Sequence, residues 1–162
     1  MTPEIKPDIF ALVCGKGEGM TPLNAFDQAL LHAGIGDINL MRMSSIIPPG
    51  ARQVGHIDLP AGALVPIAYG AYSESRPGAV ISSAIAVALS DDPEKPGVIM
   101  EHEAEAPLAE VRQKVYDMAA EAFRYRGRKA GEIKTVGMEH TVEQNGAVFA
   151  GAVLWYSKTH NF

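Results

Sequence analysis

Residues 38–49 read Ile38-Asn39-Leu40-Met41-Arg42-Met43-Ser44-Ser45-Ile46-Ile47-Pro48-Pro49. The apolar run from Ile38 to Met43 predicts a strand that leads straight into two serines. A polar loop with Pro48, Pro49, Gly50 and Pro60 follows it. Upstream, Phe10 to Cys14 reads as a buried strand, ended by Gly15-Lys16-Gly17-Glu18-Gly19. That glycine cluster lacks both the Gly-Lys-Ser/Thr ending of a phosphate loop and the G-x-G-x-x-G spacing, so a flexible turn is expected. Thr21 is placed to cap a helix with Pro22 at its first position. Phe26, Leu30 and Leu31 supply its apolar face, Asn24, Asp27 and Gln28 fall on the exposed or site-facing side, and Gly34 ends it.

Downstream, Ala63 to Tyr72 and Gly78 to Leu89 read as two long strands around a hairpin turn at Glu74-Ser75-Arg76-Pro77. Alanine content alone would allow a helix over Ala79 to Leu89, but its β-branched residues and the preceding turn favour a strand. Val98 to Glu103 is a shorter strand. Pro107 to Arg126 is the clearest helix, with Leu108, Val111, Val115, Met118, Ala119, Ala122 and Phe123 on one stripe and charges opposite. Ile133 to His140 and Val148 to Tyr156 close the chain as strands, Trp155 and Tyr156 packing at the end of the last. Two helices against a mostly antiparallel sheet predict an α+β layered domain.

Composition narrows the class. At 162 residues, 47% apolar and 20% charged, the chain reads as one domain, 1–162, with a real core and without disorder. No apolar run is long enough to span a bilayer, and Met1 to Asp8 lacks a signal peptide's basic start and apolar stretch. Cys14 stands alone, so an internal disulfide is impossible and a cytoplasmic setting is expected. A formal charge of −5 disfavours nucleic acid as a partner and suits a cationic substrate. Runs of small residues at Ala79–Ala88 and Gly146–Leu154 let sheets or subunits approach closely, which predicts an oligomer.

The two serines carry the chemistry. A Ser45 hydroxyl attacking the Ser44 carbonyl carbon would move the chain from nitrogen to oxygen as an ester. Elimination of the Ser44 carboxylate then leaves dehydroalanine at 45, which hydrolyses to a pyruvoyl group. Read alone, a Ser-Ser pair at a strand end is also an ordinary turn that bonds its own backbone. The surrounding segments decide between the two. Glu18-Gly19-Met20-Thr21-Pro22-Leu23-Asn24-Ala25-Phe26-Asp27, Gly34-Ile35-Gly36-Asp37-Ile38-Asn39-Leu40 and Ser44 to Pro49 come in that order. Leu59 to Pro66, Ile99-Met100-Glu101-His102-Glu103, Glu139-His140-Thr141-Val142-Glu143 and Ala152 to Tyr156 follow. Over nearly its whole length the sequence resembles the pyruvoyl-dependent arginine decarboxylases.

The resemblance implies a four-layer αββα sandwich, assembled as trimers or a multiple of them, with a site between subunits. It implies self-cleavage between Ser44 and Ser45 into a β chain, 1–44, and an α chain, 45–162. It also implies conversion of L-arginine to agmatine and CO2 through a Schiff base with a pyruvoyl cofactor made from Ser45. Asn39 would assist processing, Glu101 would protonate the product carbon and Asp27 would contact the substrate. Chemically these assignments make sense. A strand-held Glu101 in a poorly solvated pocket keeps its proton, Asp27 can pair with a guanidinium, and the Asn39 amide can stabilise an oxyanion. From the residues alone each is equally an inert strand-end, helix-surface or backbone-bonding group.

His32, His56, His102, His140 and His160 are scattered, and strand neighbours such as Glu101 and His102 face opposite ways, so no metal site is expected. Two other readings stay open: an uncleaved oligomeric protein that holds a cationic amine, and a decarboxylase for lysine, ornithine or another amino acid. Whether agmatine would feed polyamine synthesis or consume acid is equally open.

Overall fold

Strand alternation settles which face of each element is buried, and it does so on both sides of two sheets. The computed structural model describes residues 5–158; Met1 to Glu4 of the polar N-terminal stretch and His160 lie outside them. In chain order the elements are β1 (Ile9–Glu18), α1 (Pro22–His32), β2 (Asn39–Arg42), β3 (Ile46–Ile47), β4 (Arg52–Gln53), β5 (Leu64–Glu74), β6 (Val80–Ser90), β7 (Gly97–Ala104), α2 (Leu108–Tyr125), β8 (Ala130–Thr141) and β9 (Gly146–Trp155). One sheet runs β2-β5-β9-β1-β4 and the other β3-β7-β6-β8. Among the described residues only β1/β4 and β2/β5 pair in parallel.

On β9, Ala147, Phe149 and Val153 pack under α1 with Ala25, Ala29 and Leu30, while Ala150, Ala152 and Leu154 face the second sheet. On β6, Ile85 and Val87 meet the first sheet, and Ala84, Ala86 and Ala88 lie under α2 with Val111, Val115, Ala119 and Phe123. The order is therefore helix, sheet, sheet, helix: the αββα sandwich that the resemblance implied. Between the sheets Phe10, Ile47, Ile85, Ile99 and Leu154 are fully or almost fully buried. Each such side chain contributes about 1.5–3 kcal/mol. Two of them matter beyond stability. Ile47 follows Ser45 by two residues and Ile99 precedes Glu101 by two, so the core pins the approaches to both.

Three local expectations need correcting. The Gly15–Gly19 segment is not a turn, because β1 continues to Glu18. Its glycines face α1: a Cβ on Gly15 would lie 2.1 Å from the Ala29 carbonyl oxygen, and one on Gly17 2.5 Å from the Gln28 Cβ. The helix rests directly on the strand backbone, and no side chain fits between. Glu74–Pro77 is not a hairpin turn either. β5 pairs with β2 and β9, β6 pairs with β7 and β8, and the segment arches from one sheet to the other. Alternation in a strand gives the buried face but not the partner, which is why the sequence suggested a hairpin. Finally, Leu31 is not core: it is 47% exposed, while Ala25, Ala29 and Leu30 carry the buried face of α1.

The caps of α1 follow the sequence. The Thr21 hydroxyl accepts from the Asn24 N–H at 3.1 Å. At the other end Gly34 donates to the Leu31 carbonyl and Ile35 to that of Leu30, the paired bonds of a Schellman close.

Candidate active site

The two serines occupy the place where the chain leaves one sheet for the other. β2 is an edge strand of the first sheet, in register with β5 from Asn39↔Leu64 to Arg42↔Ile67. β3 is an edge strand of the second, with Ile46 opposite Val98 of β7. Met43, Ser44 and Ser45 span the gap. Both ends are anchored: the Met43 N–H donates to the Ile67 carbonyl at 3.1 Å, and the Ser45 carbonyl accepts from Ile99 at 2.9 Å. Between the anchors lies Ser44, exposed. Ser45 has φ = 71°, the only non-glycine among the described residues in the left-handed region. For an L-residue that conformation costs roughly 1–2 kcal/mol, and strain of this kind persists where the surroundings impose it.

β7 supplies the acid. Val98 and Met100 turn toward α2, whereas Ile99 enters the inter-sheet core, so Glu101 and Glu103 share the inter-sheet face. The Ser45 hydroxyl donates to Oε2 of Glu101 at 3.3 Å. Burial pushes the Glu101 carboxyl above the usual carboxylate range. The Ser45 hydrogen bond and the Arg42 guanidinium oppose that rise, and the neighbouring Glu103 adds to it. Arg42 is held nearby, its Nη2 donating to the Tyr69 carbonyl at 2.7 Å and its guanidinium lying 4.5 Å over the Tyr69 ring.

Opposite these acids the wall is small. A Cβ on Gly70 would meet Glu103 Oε2 at 2.6 Å, the Ser83 hydroxyl at 3.1 Å and the Glu101 Cβ at 3.5 Å. Ser83 is fully buried and donates to the Gly70 carbonyl at 2.8 Å. These residues fit a small carbonyl group at position 45. An acid whose hold on its proton burial strengthens stands within hydrogen-bond reach, and Gly70 and Ser83 lie across from it.

Within one chain, Ser44, Ser45 and Glu101 come together, while Asn39 and Asp27 do not join them. Asn39 begins β2, and its five-residue separation from Ser44 along extended chain is roughly 16 Å. Its side chain donates to the Gly62 carbonyl at 3.0 Å. Asp27 lies on the exposed side of α1 and has no hydrogen-bond or ion-pair partner among the described residues. Leu23, four residues before Asp27, and Leu64, opposite Asn39 in the ladder, are 75% and 65% exposed, apolar surface left uncovered by a single chain.

The sequence reading passed over Arg42, Gly70, Ser83 and Glu103. Glu103 was findable, since it sits two residues from Glu101 and shares its strand face. Gly70 and Ser83 reach the site only through inter-sheet packing, for which the sequence carries no local sign. It also missed what the Glu139–Glu143 segment does. Glu18 accepts from His140 at 2.7 Å and from the backbone N–H groups of Glu143, Gln144 and Asn145. Burial works against its charge, but these bonds prevail and hold the carboxyl below its ordinary range. His56 pairs with Asp58 at 2.9 Å. No group of three or more His, Cys, Asp or Glu among the described residues is arranged to hold a metal ion.

A family model and named relatives point the same way. The family model for pyruvoyl-dependent arginine decarboxylase (PvlArgDC) matches residues 9–159. A protein of that name from Methanocaldococcus jannaschii is 49% identical over 150 residues, covering 93% of this chain and 91% of its own. One from Methanococcus maripaludis is 43% identical over 155 residues, 96% of this chain and 94% of its own. One from Pyrococcus furiosus is 37% identical over 154 residues, 94% of this chain and 97% of its own. Among solved structures, a pyruvoyl-dependent histidine decarboxylase at pH 8 superposes with a TM-score of 0.49 and 17% identity, covering 65% of this chain and 55% of that one.

Proposed function

The chain belongs to the pyruvoyl-dependent arginine decarboxylase family, and we propose that it cuts itself between Ser44 and Ser45 and then converts L-arginine to agmatine and CO2. The observation that carries this reading is the Ser45 hydroxyl, held on the Glu101 carboxyl by a residue in left-handed conformation at the crossing between two sheets. In the cut, the Ser45 hydroxyl adds to the Ser44 carbonyl carbon and the Ser44–Ser45 amide bond gives way to an ester. β-Elimination then releases Ser44 as a carboxylate and leaves dehydroalanine at 45. Water converts that to the pyruvoyl group with loss of ammonia.

A covalently bound pyruvoyl group supplies an electron sink for the bond broken when CO2 leaves. The chain's own residues do the rest. Glu101, whose hold on a proton burial strengthens, gives that proton to the former α-carbon. Asp27 pairs with the substrate guanidinium in a two-pronged, charge-assisted contact. Asn39 donates its amide to the oxyanion formed when Ser45 attacks. Since neither Asp27 nor Asn39 reaches Ser45 within one chain, both join from a neighbouring copy, in a trimer or a multiple of it. No helix among the described residues is long and apolar enough to cross a membrane, and the proposed setting is the cytoplasm.

An intact-mass spectrum of the denatured protein tests the first step. Two fragments, 1–44 and a 45–162 piece with a pyruvoyl start, are expected, together with CO2 release from arginine. One unbroken chain that holds arginine without releasing CO2 would replace this reading with that of a binding protein. A panel with lysine and ornithine tests the pocket, because a site shaped for a planar guanidinium should penalise an ammonium.

A further inference from the structure

Glu103 is the acid of this site without an assigned task. It is half-buried, and its carboxylate has no hydrogen-bond or ion-pair partner among the described residues. Its Oε2 lies over the bare Cα of Gly70, in space that a Cβ there would take. Across the ladder stands Ser83, in register with Glu103, its hydroxyl already committed to the Gly70 carbonyl. A half-buried carboxylate without a cation is unfavourable, and a second acid on the same strand face makes it more so. Glutamine would fill the same volume without that penalty. The glycine on the facing strand leaves room for the acid rather than excluding it. An arrangement that sets an unpartnered acid on the same strand face as Glu101 points to a use for their repulsion.

We propose that Glu103 is a positioning residue for proton donation: its carboxylate, held over Gly70 on the same strand face as Glu101, adds to burial in holding the proton on Glu101 until the product carbon takes it. The inference rests on Glu101 being the donor. The other groups around Glu101 set the balance. From β2 the Arg42 guanidinium favours the ionised form; the Ser45 hydroxyl does the same by a hydrogen bond before the cut and is gone once residue 45 is a pyruvoyl group. β5 presents Gly70 and, two residues on along the same face, the Tyr72 phenol; β6 presents Ser83 and Ile85, and α2 packs on the opposite face of β7. Burial is the main force against Arg42 at Glu101, and Glu103 adds to it.

The test uses the purified, processed enzyme and Glu103→Gln, with two readouts. With the neighbouring charge gone, Glu101 loses its proton at lower pH, so the alkaline limb of the kcat profile moves to lower pH and kcat on that limb falls several-fold. Carbon-13 NMR of the Glu101 carboxyl, followed through the same pH range, moves in the same direction. Gly70→Ala is a second variant: its methyl displaces the Glu103 carboxylate without deleting it, and a smaller movement of the same sign is expected. An unmoved limb and an unmoved resonance in Glu103→Gln overturn the proposal. If the resonance moves and the limb does not, Glu101 is not the donor, and the role given to Glu103 falls with it although the coupling is measured.

Discussion

The chain crosses from the first sheet to the second at Met43–Ser45 and again between β5 and β6, and it solves the same geometric problem in opposite ways. In the β5–β6 arch the left-handed residue is Gly78, at φ = 85°. Its neighbours are tied down. Glu74 accepts from the backbone of Ser75 and Arg76, Arg76 pairs with Glu74 and Glu105, and Gly78 donates to the Val142 carbonyl at 2.8 Å. At the other crossing the left-handed residue is Ser45, at φ = 71°, and its hydroxyl points at a half-buried acid. Glycine would make that turn with less strain. A serine kept where glycine is easier indicates that the side chain, rather than the turn, is what the position is for.

The largest test of that contrast removes the hydroxyl. Ser45→Ala should leave one chain in the mass spectrum and no CO2 release from arginine. Cleavage in this variant would show that the hydroxyl is not the nucleophile. Next, Glu101→Gln should still yield two fragments, with kcat lower by about 10²–10⁴-fold, the usual contribution of a positioned acid. Full turnover would remove Glu101 from the reaction. Then the serine can be moved to the other crossing. Gly78→Ser should cost about 0.5–1 kcal/mol of stability, the left-handed penalty of an L-residue less the entropy that glycine loses on folding. The Ser44–Ser45 cut should proceed as before, and no new fragment should arise at position 78. A second cut there would mean that strain alone drives the chemistry and that the acid is dispensable.

Much of this was legible in the sequence, but unevenly. Both helices, the long strands and the α+β class follow from periodicity and caps, since Thr21, Pro22 and Gly34 act through local backbone chemistry. The arch was misread as a hairpin because nothing local in Glu74–Pro77 says whether β6 pairs with β5 or folds over it. The glycines of β1 were misread as a turn for a related reason: their partner is the backbone of α1, some ten to fourteen residues later. In the site, Ser44, Ser45 and Glu101 were nameable from motif order, and their meeting then emerged from two edge strands lying at the same side of both sheets. Gly70 and Ser83 were invisible because they contribute space and backbone satisfaction. Asp27 and Asn39 carry meaning through family resemblance, and a single chain leaves both away from Ser45.

The smallest effect sharpens the comparison most, because it isolates strain from chemistry. Ser45→Ala and Ser45→Gly both lack the hydroxyl, so both should remain uncut and can be compared as intact chains at equal concentration. Alanine keeps the left-handed penalty of roughly 1–2 kcal/mol. Glycine escapes it but loses about 0.5–1 kcal/mol through the greater freedom of the unfolded chain. The difference leaves Ser45→Gly more stable by about 0.5–1 kcal/mol, which for a chain of this size raises Tm by a few degrees. A Ser45→Ala protein as stable as Ser45→Gly would mean that the uncut turn relaxes once the Glu101 hydrogen bond is gone. The bond to the acid, rather than the two flanking strands, would then be what holds residue 45 in its left-handed form.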